Sequence, residues 1–489
     1  MFLKKKVPVE TTKQSEELKK KKSKERSIFA VTYFFVLLFL TMTGYLVYFV
    51  STKEQELINN SYNSRQEILI SKNYRGSIYS ADGKILAETI VDEKGTEQRK
   101  YPYGDIFSHV IGFSTRGKTG IEAQANYYLI NSNIPFTEKV SNEITDMKNP
   151  GDNVYTTLNV TLQEAAYKAI DTYKGAIIVT EPSTGRVLAM VSNPTFDPNT
   201  IANDWDQYVN DDNSSVLLNR ATQGLYPPGS TFKIITTLEY IKEHADNWKD
   251  YHFDCSGSFS VEDNKISCYH GISHGNLDLT SSFAKSCNSS FAKIGLSLDY
   301  GKLEDTLSQL LFNKDLPVTC NYNRSQVMID ETISGAEMMQ AAIGQGKTQM
   351  TPLHLNMITA AIANHGIMMK PYMVDHVETA DGVLVKSFQS ATYGRVMTEE
   401  EASIMIELLA TVVEEGTATK LSGLSYTAAG KTGSAEYNNV KGESHAWFTG
   451  FAPVENPQIC VTIILEGAGS GGDYAVPMAK RIFNAYFNE

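Results

Sequence analysis

Residues 225–233 read Leu-Tyr-Pro-Pro-Gly-Ser-Thr-Phe-Lys, a proline–glycine turn followed at once by a helical pattern. Apolar residues then recur at helical spacing, at Phe232, Ile235, Leu238 and Ile241. Ser230 is therefore predicted in the first helical turn, with Lys233 one turn above it on the same face. A hydroxyl placed there gains a nearby amine, the helix dipole and free backbone N–H groups. Ser230 is the candidate nucleophile, and a desolvated Lys233 is its candidate base.

Two shorter patterns follow downstream: Ser286-Cys287-Asn288 and Lys431-Thr432-Gly433-Ser434. Ser-x-x-Lys alone is weak, because it should occur by chance on the order of twice in a chain of this length. Each pattern does recur elsewhere, at Ser282–Lys285, Ser290–Lys293, Lys118–Gly120 and Ser61–Asn63. Ser282 and Ser290 are predicted to lie in one helix without a Pro/Gly entry, which favours a structural role. Order and context therefore favour Ser230, Ser286 and Lys431, which are expected to converge on one cleft.

Charge is unevenly distributed along the 489 residues, whose net charge is −12. Residues 1–27 hold ten Lys/Arg against four Glu, so the remainder is strongly acidic. An acidic body argues against a nucleic-acid partner. The nine histidines show no His-Glu-x-x-His or similar ligand spacing, so no metal and no cofactor are predicted.

Residues 28–50 contain no charged side chain, and 23 residues are enough to cross about 30 Å of hydrocarbon as a helix. Aromatic residues lie toward both ends of this span. A cleaved signal peptide is the alternative, but no small-residue cleavage site follows the span. The interpretation is an uncleaved single-pass anchor in the cell membrane, with the basic tail cytoplasmic and everything from Ser51 extracytoplasmic.

The five cysteines are Cys255, Cys268, Cys287, Cys320 and Cys460. Cys255 and Cys268 lie close together in a polar loop, but spacing alone does not establish a disulfide, and the pairing stays open. Isolated thiols are the expectation for the others.

A hairpin of strands is predicted at 175–180 and 186–191, after a helix over 158–173. Residues 230–420 are expected to be mainly helical, and strands return at 427–435, 446–452 and 458–465 before a final helix over 476–487. Two strands before the helices and three after them predict one five-stranded antiparallel sheet flanked by helices, an α+β fold. The residues 51–153 are polar, with short strand-like runs such as 67–70. The predicted divisions are a tail (1–27), a transmembrane helix (28–50), a pedestal (51–155) and a catalytic domain (156–489).

From about Tyr74 to the C-terminus the sequence resembles the class B penicillin-binding proteins, which are membrane-anchored, monofunctional transpeptidases of bacterial wall synthesis. The resemblance rests on long motifs: 74–78, 82–83, 117–122, 218–230, 271–275, 344–346, 351–352, 416–418 and 445–450. Ser434 stands where the family more often has threonine, and 79–81 depart from the family's usual pedestal sequence.

The resemblance implies a peptidoglycan D,D-transpeptidase in which Ser230 attacks the penultimate D-Ala of a stem peptide and Lys233 takes its proton. Ser286 would relay a proton to the leaving amine, and Asn288 would hold Lys233 and the substrate amide. Lys431 would place positive charge near the substrate carboxylate. The implied substrate-binding residues are Thr432, Gly433 and Ser434. β-Lactams would acylate the same serine, and a polytopic glycan polymerase is the implied membrane partner.

Other functions remain open at this level. A D,D-carboxypeptidase would share all three motifs and differ only in accepting water. A serine β-lactamase would need a deacylating glutamate that the sequence does not clearly offer. A β-lactam sensor would need a signalling module, for which the 27-residue tail is too short, and an inert scaffold would be expected to lose a catalytic side chain, whereas all are present. The sequence does not distinguish elongation, division and sporulation, and it leaves the acceptor amine and oligomeric state open.

Overall fold

A computed structural model describes residues 9–58, 65–211, 213–330, 332–437 and 443–488. These residues divide into two compact units, one ending at Arg65 and the other running from Gln66 to the C-terminus. The first unit contains one long helix, α1 (Val9–Ile58). Its segment Gln14–Phe49 is long and apolar enough to cross a membrane, and its most apolar part is fully exposed. The predicted tail is helical from residue 9; its first eight residues, with Lys4, Lys5 and Lys6, lie outside the described residues.

The second unit begins with small elements that form most of the predicted pedestal, whereas residues 51–58 of that prediction lie in α1. Its helices are α2 (Arg65–Lys72), α3 (Ser108–Ile111), α4 (Gly120–Gln124), α5 (Asn126–Ile130) and α6 (Phe136–Ile144). Its strands are β1 (Asn73–Tyr74), β2 (Ile78–Tyr79), β3 (Ile85–Val91), β4 (Glu97–Lys100), β5 (Asn149–Pro150) and β6 (Asn153–Thr156). The strand predicted at 67–70 is wrong, because these residues lie in α2. A run of four residues is too short for its periodicity to separate helix from strand.

A buried ion cluster holds the pedestal motifs together. Glu122 is fully buried, and its carboxylate forms ion pairs with Arg75 at 2.5 Å and with Arg99 at 2.7 Å. Arg75 also donates to Asn126 Oδ1, and Arg99 donates to the carbonyl of Gly76, both at 2.7 Å. The two segments 74–78 and 117–122, which are far apart in sequence, are thus joined by one carboxylate.

The remaining chain forms the larger part of this unit. Its helices are α7 (Val160–Ile170), α8 (Ile201–Val209), α9 (Lys233–Glu243), α10 (Leu279–Ala284), α11 (Asn288–Ser297), α12 (Tyr300–Gln309), α13 (Gly335–Ala342), α14 (Pro352–Ala363), α15 (Glu399–Glu414) and α16 (Val476–Phe487). Its strands are β7 (Gly175–Thr180), β8 (Val187–Asn193), β9 (Phe253–Cys255), β10 (Ser258–Val261), β11 (Asn264–Ser267), β12 (Gly275–Leu277), β13 (Ile367–Met369), β14 (Val374–Glu378), β15 (Leu384–Ser387), β16 (Thr392–Arg395), β17 (Ala429–Glu436), β18 (Ser444–Ala452) and β19 (Ile459–Leu465).

The central sheet has the order β17-β18-β19-β7-β8, and every pair in it is antiparallel. This confirms the five-stranded sheet assembled from both ends of the domain, and the strand positions agree within two residues. β7, β18 and β19 are buried along their whole length, as expected for strands covered on both faces.

A row of buried threonines joins this sheet to α14. Thr180, Thr449 and Thr462 project from three neighbouring strands, and their hydroxyls bond Asn356 or Thr359 of α14 at 2.6–3.3 Å. Thr449 and Thr462 also bond each other at 2.7 Å. Each of these buried polar groups has a hydrogen-bond partner. The network therefore orients α14 on the sheet without the free-energy cost of an unsatisfied buried group.

Two expectations for residues 230–420 need correction. The segment contains eight short strands, β9–β16, among its helices. Ser282 and Ser290 lie in two helices, α10 and α11, and not in one. The break between them is residues 285–287, where Ser286 has a left-handed backbone with φ 55°.

A second sheet, of six strands in the order β15-β14-β6-β2-β3-β4, combines strands from both sides of residue 155. β14 pairs with β6 directly, from Val374↔Thr156 to Glu378↔Asn153. The domain boundary at residue 155 stays a prediction. Strands from both sides of this boundary are hydrogen-bonded in one sheet. Part of the predicted pedestal, residues 59–64, also lies outside the described residues.

Candidate active site

Ser230 lies in a tight 3₁₀ turn, Gly229–Phe232, that leads directly into α9. Gly229 has φ +54°, and a Cβ on it would meet the Cβ of Ala435 at 2.9 Å. Only glycine combines this backbone with so close an approach to β17. Ser230 is half-buried, and within the described part of the chain its hydroxyl has no hydrogen-bond partner.

Lys233 is fully buried one turn further on. Its Nζ donates to the carbonyl of Ser286 and to Oδ1 of Asn288, both at 2.7 Å, and lies 3.3 Å from the Ser286 hydroxyl. Burial lowers the pKa of Lys233 to about 7, although the nearby Cys287 and Cys268 act in the opposite direction. A lysine with this pKa is partly neutral at physiological pH, as a proton acceptor must be.

The link between α10 and α11 supplies the next two side chains. Ser286 and Asn288 are both half-buried, and Cys287 between them is buried as the N-cap of α11. The Asn288 amide donates to the carbonyl of Ser267 at 3.1 Å, which orients its oxygen toward Lys233. The left-handed backbone of Ser286 turns its hydroxyl and its carbonyl toward the two lysines.

Lys431 reaches the same point from β17. It is fully buried, and its Nζ donates to the Ser286 hydroxyl at 2.9 Å and to the carbonyl of Thr432 at 3.2 Å. Burial, with a further contribution from the charge of Lys233, lowers the pKa of Lys431 well below its usual range. The predicted convergence of the serine turn, the Ser286 link and the lysine strand is thus what the structure contains.

β17 is an edge strand, paired only with β18 among the described strands. Ser434 is half-buried and its hydroxyl accepts from the N–H of Gly471 at 3.4 Å. Thr432 is buried, and its hydroxyl is engaged with that of Thr417 at 2.6 Å. A Cβ on Gly433 would lie 3.0 Å from the carbonyl of Pro228, so its missing side chain makes room for the serine turn.

Residues around the turn fix its position. The indole of Trp447, which is fully buried, donates to the carbonyl of Pro227 at 3.1 Å. Glu466 accepts from the Tyr226 hydroxyl and from Arg220, each at 2.7 Å. His445 is mostly buried, and burial lowers its pKa to about 4, so it is neutral at physiological pH. It stacks on Tyr437 with ring centroids 4.2 Å apart.

The repeated Ser-x-x-Lys patterns have a different environment. Ser282 and Ser290 are fully buried and their hydroxyls bond each other at 2.8 Å. Lys285 and Lys293 are exposed. Neither pair places a serine and a buried amine together at an accessible surface, in agreement with the predicted structural role.

Sequence reasoning missed two features. It did not assign Thr417 to the site, although 416–418 was among the family-like motifs. It also predicted no metal, because neither the histidines nor the cysteines show a familiar ligand spacing, whereas Cys255, Cys268, His274 and Cys287 have their ligand atoms within 4.8 Å of one another. The four residues are spaced Cys-x₁₂-Cys-x₅-His-x₁₂-Cys, which is wider than the compact zinc motifs that a sequence pattern reveals. The open question of a Cys255–Cys268 disulfide is answered in this structure by free thiols 3.7 Å apart.

Residues 175–484 match the family model described as the penicillin-binding protein transpeptidase domain, and residues 75–154 match that of the penicillin-binding protein A dimerisation domain. The chain belongs to the penicillin-binding protein transpeptidase family. The resemblance to its class B members is confirmed. Together with the apolar helix α1, this membership makes the chain a membrane-anchored penicillin-binding protein.

Similar proteins cover most of the chain. A peptidoglycan D,D-transpeptidase PbpA of Mycolicibacterium smegmatis is 30% identical over 442 residues, covering 85% of this chain and 89% of the relative. The structure of a D,D-transpeptidase domain from Eggerthella lenta is 30% identical with TM-score 0.77, covering 85% and 99% of the two chains. Penicillin-binding protein A from Mycobacterium tuberculosis, as a ceftriaxone acyl-enzyme, is 27% identical with TM-score 0.79, covering 85% and 99%.

Proposed function

We propose that this penicillin-binding protein is a peptidoglycan D,D-transpeptidase, which cross-links stem peptides through an acyl-enzyme on Ser230 and is a target of β-lactams. Its relatives carry this activity in their names, and a neighbouring structure is a β-lactam acyl-enzyme. The observation that carries the residue assignment is the convergence of two fully buried lysines on Ser286, directly behind the serine turn.

In the first step the Ser230 oxygen attacks the carbonyl of the penultimate D-Ala, and its proton passes to neutral Lys233. The developing oxyanion is received by the backbone N–H groups of Ser230 and Ser434. Ser230 enters this step by rotating its free hydroxyl toward Lys233, since catalytic hydrogen bonds are often long before substrate binds.

In the second step the C–N bond to the terminal D-Ala breaks, and the leaving amine takes a proton that Lys233 supplies through the Ser286 hydroxyl. Asn288 keeps Lys233 in place and offers its amide to the substrate backbone. An amine of a neighbouring stem peptide then attacks the ester, forms the cross-link and returns the proton to Ser230.

The terminal carboxylate of the substrate is held at β17. Lys431 is too deeply buried for direct contact, so it acts on the carboxylate through its charge and through Ser286. Ser434, which is half-exposed, is the direct hydroxyl partner, and Thr432 supports the strand through Thr417. The substrate backbone lies along the free edge of β17 as an added strand, beside Gly433.

The proposal also covers the orientation of the chain in the membrane and its membrane partner. The cluster of lysines that precedes the apolar span favours a cytoplasmic N-terminus, with the second unit extracytoplasmic. A polytopic glycan polymerase in the same membrane is the proposed partner, and the division at residue 155 into pedestal and catalytic domain belongs to this proposal. Its support is the family resemblance and the dimerisation-domain match.

The test is labelling of the full chain in detergent with a fluorescent penicillin, followed by intact mass and peptide mapping. The expected result is one lasting adduct on Ser230 that is absent in Ser230→Ala. Lys233→Ala is expected to lose the adduct, whereas the exposed Lys293→Ala keeps it. Rapid turnover without a lasting adduct would indicate hydrolysis, and no adduct from folded protein would indicate a scaffold.

A further inference from the structure

Four side chains with metal-ligand atoms meet directly behind the Ser286–Asn288 link. Cys255 Sγ lies 3.7 Å from Cys268 Sγ and 3.4 Å from Cys287 Sγ. Cys268 Sγ lies 3.6 Å from Cys287 Sγ. His274 completes the set, with Nδ1 3.4 Å from Cys255 Sγ.

These separations match a shared tetrahedral ion. With Zn–S bonds of about 2.3 Å and a Zn–N bond of about 2.0–2.1 Å, tetrahedral angles put two sulfurs about 3.8 Å apart and sulfur and nitrogen about 3.6 Å apart. A disulfide needs about 2.05 Å, and three cysteines cannot all pair among themselves. The four ligand atoms therefore have the shape of a closed metal site.

The segment that carries the ligands has little apolar core of its own. β9 pairs with β12 and β10 pairs with β11, each as an isolated two-stranded ribbon. The buried cluster that unites them in the described structure consists of the three cysteines and Leu277, with Phe253 packed against it. Two-stranded ribbons are marginal in water, so a metal ion bound by these side chains would add folding free energy to the segment.

Neighbouring groups suit thiolate ligands. The N–H of Ser290 points at Cys287 Sγ from 3.4 Å, and the Ser289 hydroxyl lies 3.1 Å from Cys268 Sγ. Such outer contacts orient metal ligands and stabilise their charge. The three cysteines are at most 4% exposed, which protects thiolates from oxidation outside the cytoplasm.

We propose that Cys255, Cys268, His274 and Cys287 bind one zinc ion that positions Ser286 and Asn288 for catalysis. Three sulfurs and one imidazole are a typical structural zinc set, and four protein ligands leave no open position for chemistry at the metal. Binding releases the thiol protons to solvent.

The zinc ligand Cys287 is connected to the active site through the backbone. Cys287 stands between the two catalytic side chains, and Ser286 on one side has the left-handed backbone that turns it toward Lys233 and Lys431. A metal bond at Cys287 anchors this link to β9, β11 and β12 at once. The four ligands are thus positioning residues, and none of them touches the reacting atoms.

The first experiment measures metal in the full chain purified in detergent under reducing conditions, by inductively coupled plasma mass spectrometry. One zinc per chain is expected in wild type, Cys320→Ser and Cys460→Ser, and none in Cys268→Ser. Cobalt substituted for zinc should show thiolate-to-metal absorption in wild type that changes in His274→Ala. No bound metal and no uptake of added zinc would overturn the proposal, as would a disulfide between any two of the three cysteines in a non-reducing peptide map.

The second experiment tests positioning without a variant that might fail to fold. A chelator strips zinc from the wild type, and fluorescent-penicillin acylation is followed before and after adding zinc back. A fall of at least about 10-fold that zinc restores is expected, in line with the effect of losing outer support at metal sites. Unchanged acylation in stripped protein would overturn the positioning role. Metal content is read separately from acylation, so failure of the proposed transpeptidase does not affect the zinc result.

Discussion

Lys233 and Lys431 share one hydroxyl, that of Ser286, from 3.3 and 2.9 Å. Both amines are fully buried, and the charge of Lys233 adds to burial in lowering the pKa of Lys431. Because both amines contact this one hydroxyl, a proton taken by one can be passed on through it.

Removing the Ser286 hydroxyl tests this relay. Ser286→Ala is expected to slow acylation by about 10²–10⁴-fold, the usual contribution of a positioned proton-transfer group. The measurement is the rate of labelling with a fluorescent penicillin. Lys285→Ala, an exposed neighbour on the same link, should label at the wild-type rate. A folded Ser286→Ala protein with wild-type kinetics would exclude the relay.

The lowered pKa of Lys233 predicts a pH dependence. Burial brings this pKa to about 7, and the base must be neutral to accept the Ser230 proton. The second-order acylation rate should therefore rise with pH up to about 7 and level off above it, because this rate reports groups of the free enzyme. Stopped-flow acylation across neutral pH measures the profile. A rate still rising toward the ordinary lysine pKa of about 10.4 would contradict it.

Sequence alone predicted the central sheet, because three of its strands are buried along their whole length and the apolar runs are bounded by clear turns. It predicted Ser230, Lys233, Ser286 and Lys431 as neighbours from motif order. It did not predict that Lys431 is fully buried, because the burial of a side chain depends on contacts with residues far away in sequence, such as Ser286, 145 residues from Lys431. The ribbons at 253–277 were also missed, because they are too short and polar to show periodicity.

The cysteines illustrate the same limit. Cys255, Cys268 and Cys287 are separated by a hairpin and a helix, so their spacing matches no compact zinc motif. Only the packing of α11 against β9, β10 and β11 brings their sulfurs together. Distant pairings of this kind are set by tertiary structure, which local patterns do not encode.

A substitution at Gly229 is expected to displace the Ser230 turn by steric contact, and this effect can be separated from that of backbone strain. Gly229→Ala would place a Cβ 2.9 Å from that of Ala435 and shift the Ser230 turn. A displacement near 1 Å at a catalytic group costs about 10²-fold, so acylation should fall by roughly that factor. Gly423→Ala is the matched control, because Gly423 also has positive φ but no atom within 4 Å of the new Cβ. Equal acylation rates in the two variants would contradict the steric account.

The buried carboxylate of Glu122 should dominate pedestal stability. Glu122→Gln leaves Arg75 and Arg99 without their shared counter-charge, and removing one partner of a buried ion pair costs about 3–5 kcal/mol. The urea midpoint of the full chain in detergent should fall accordingly, whereas Glu93→Gln at an exposed site should leave it unchanged.

Acid provides the second arm of this test. Burial raises the pKa of Glu122, but Arg75 and Arg99 outweigh it and hold that pKa below its usual value. The folded protein therefore keeps the carboxylate charged where the unfolded chain would protonate it. This contribution is complete above the unfolded pKa of about 4.3 and is lost as pH falls through the lower folded value. The difference in the free energy of unfolding between wild type and Glu122→Gln should thus become smaller in acid. A difference that stays constant down to the lowest pH would show that the ion cluster is not its source.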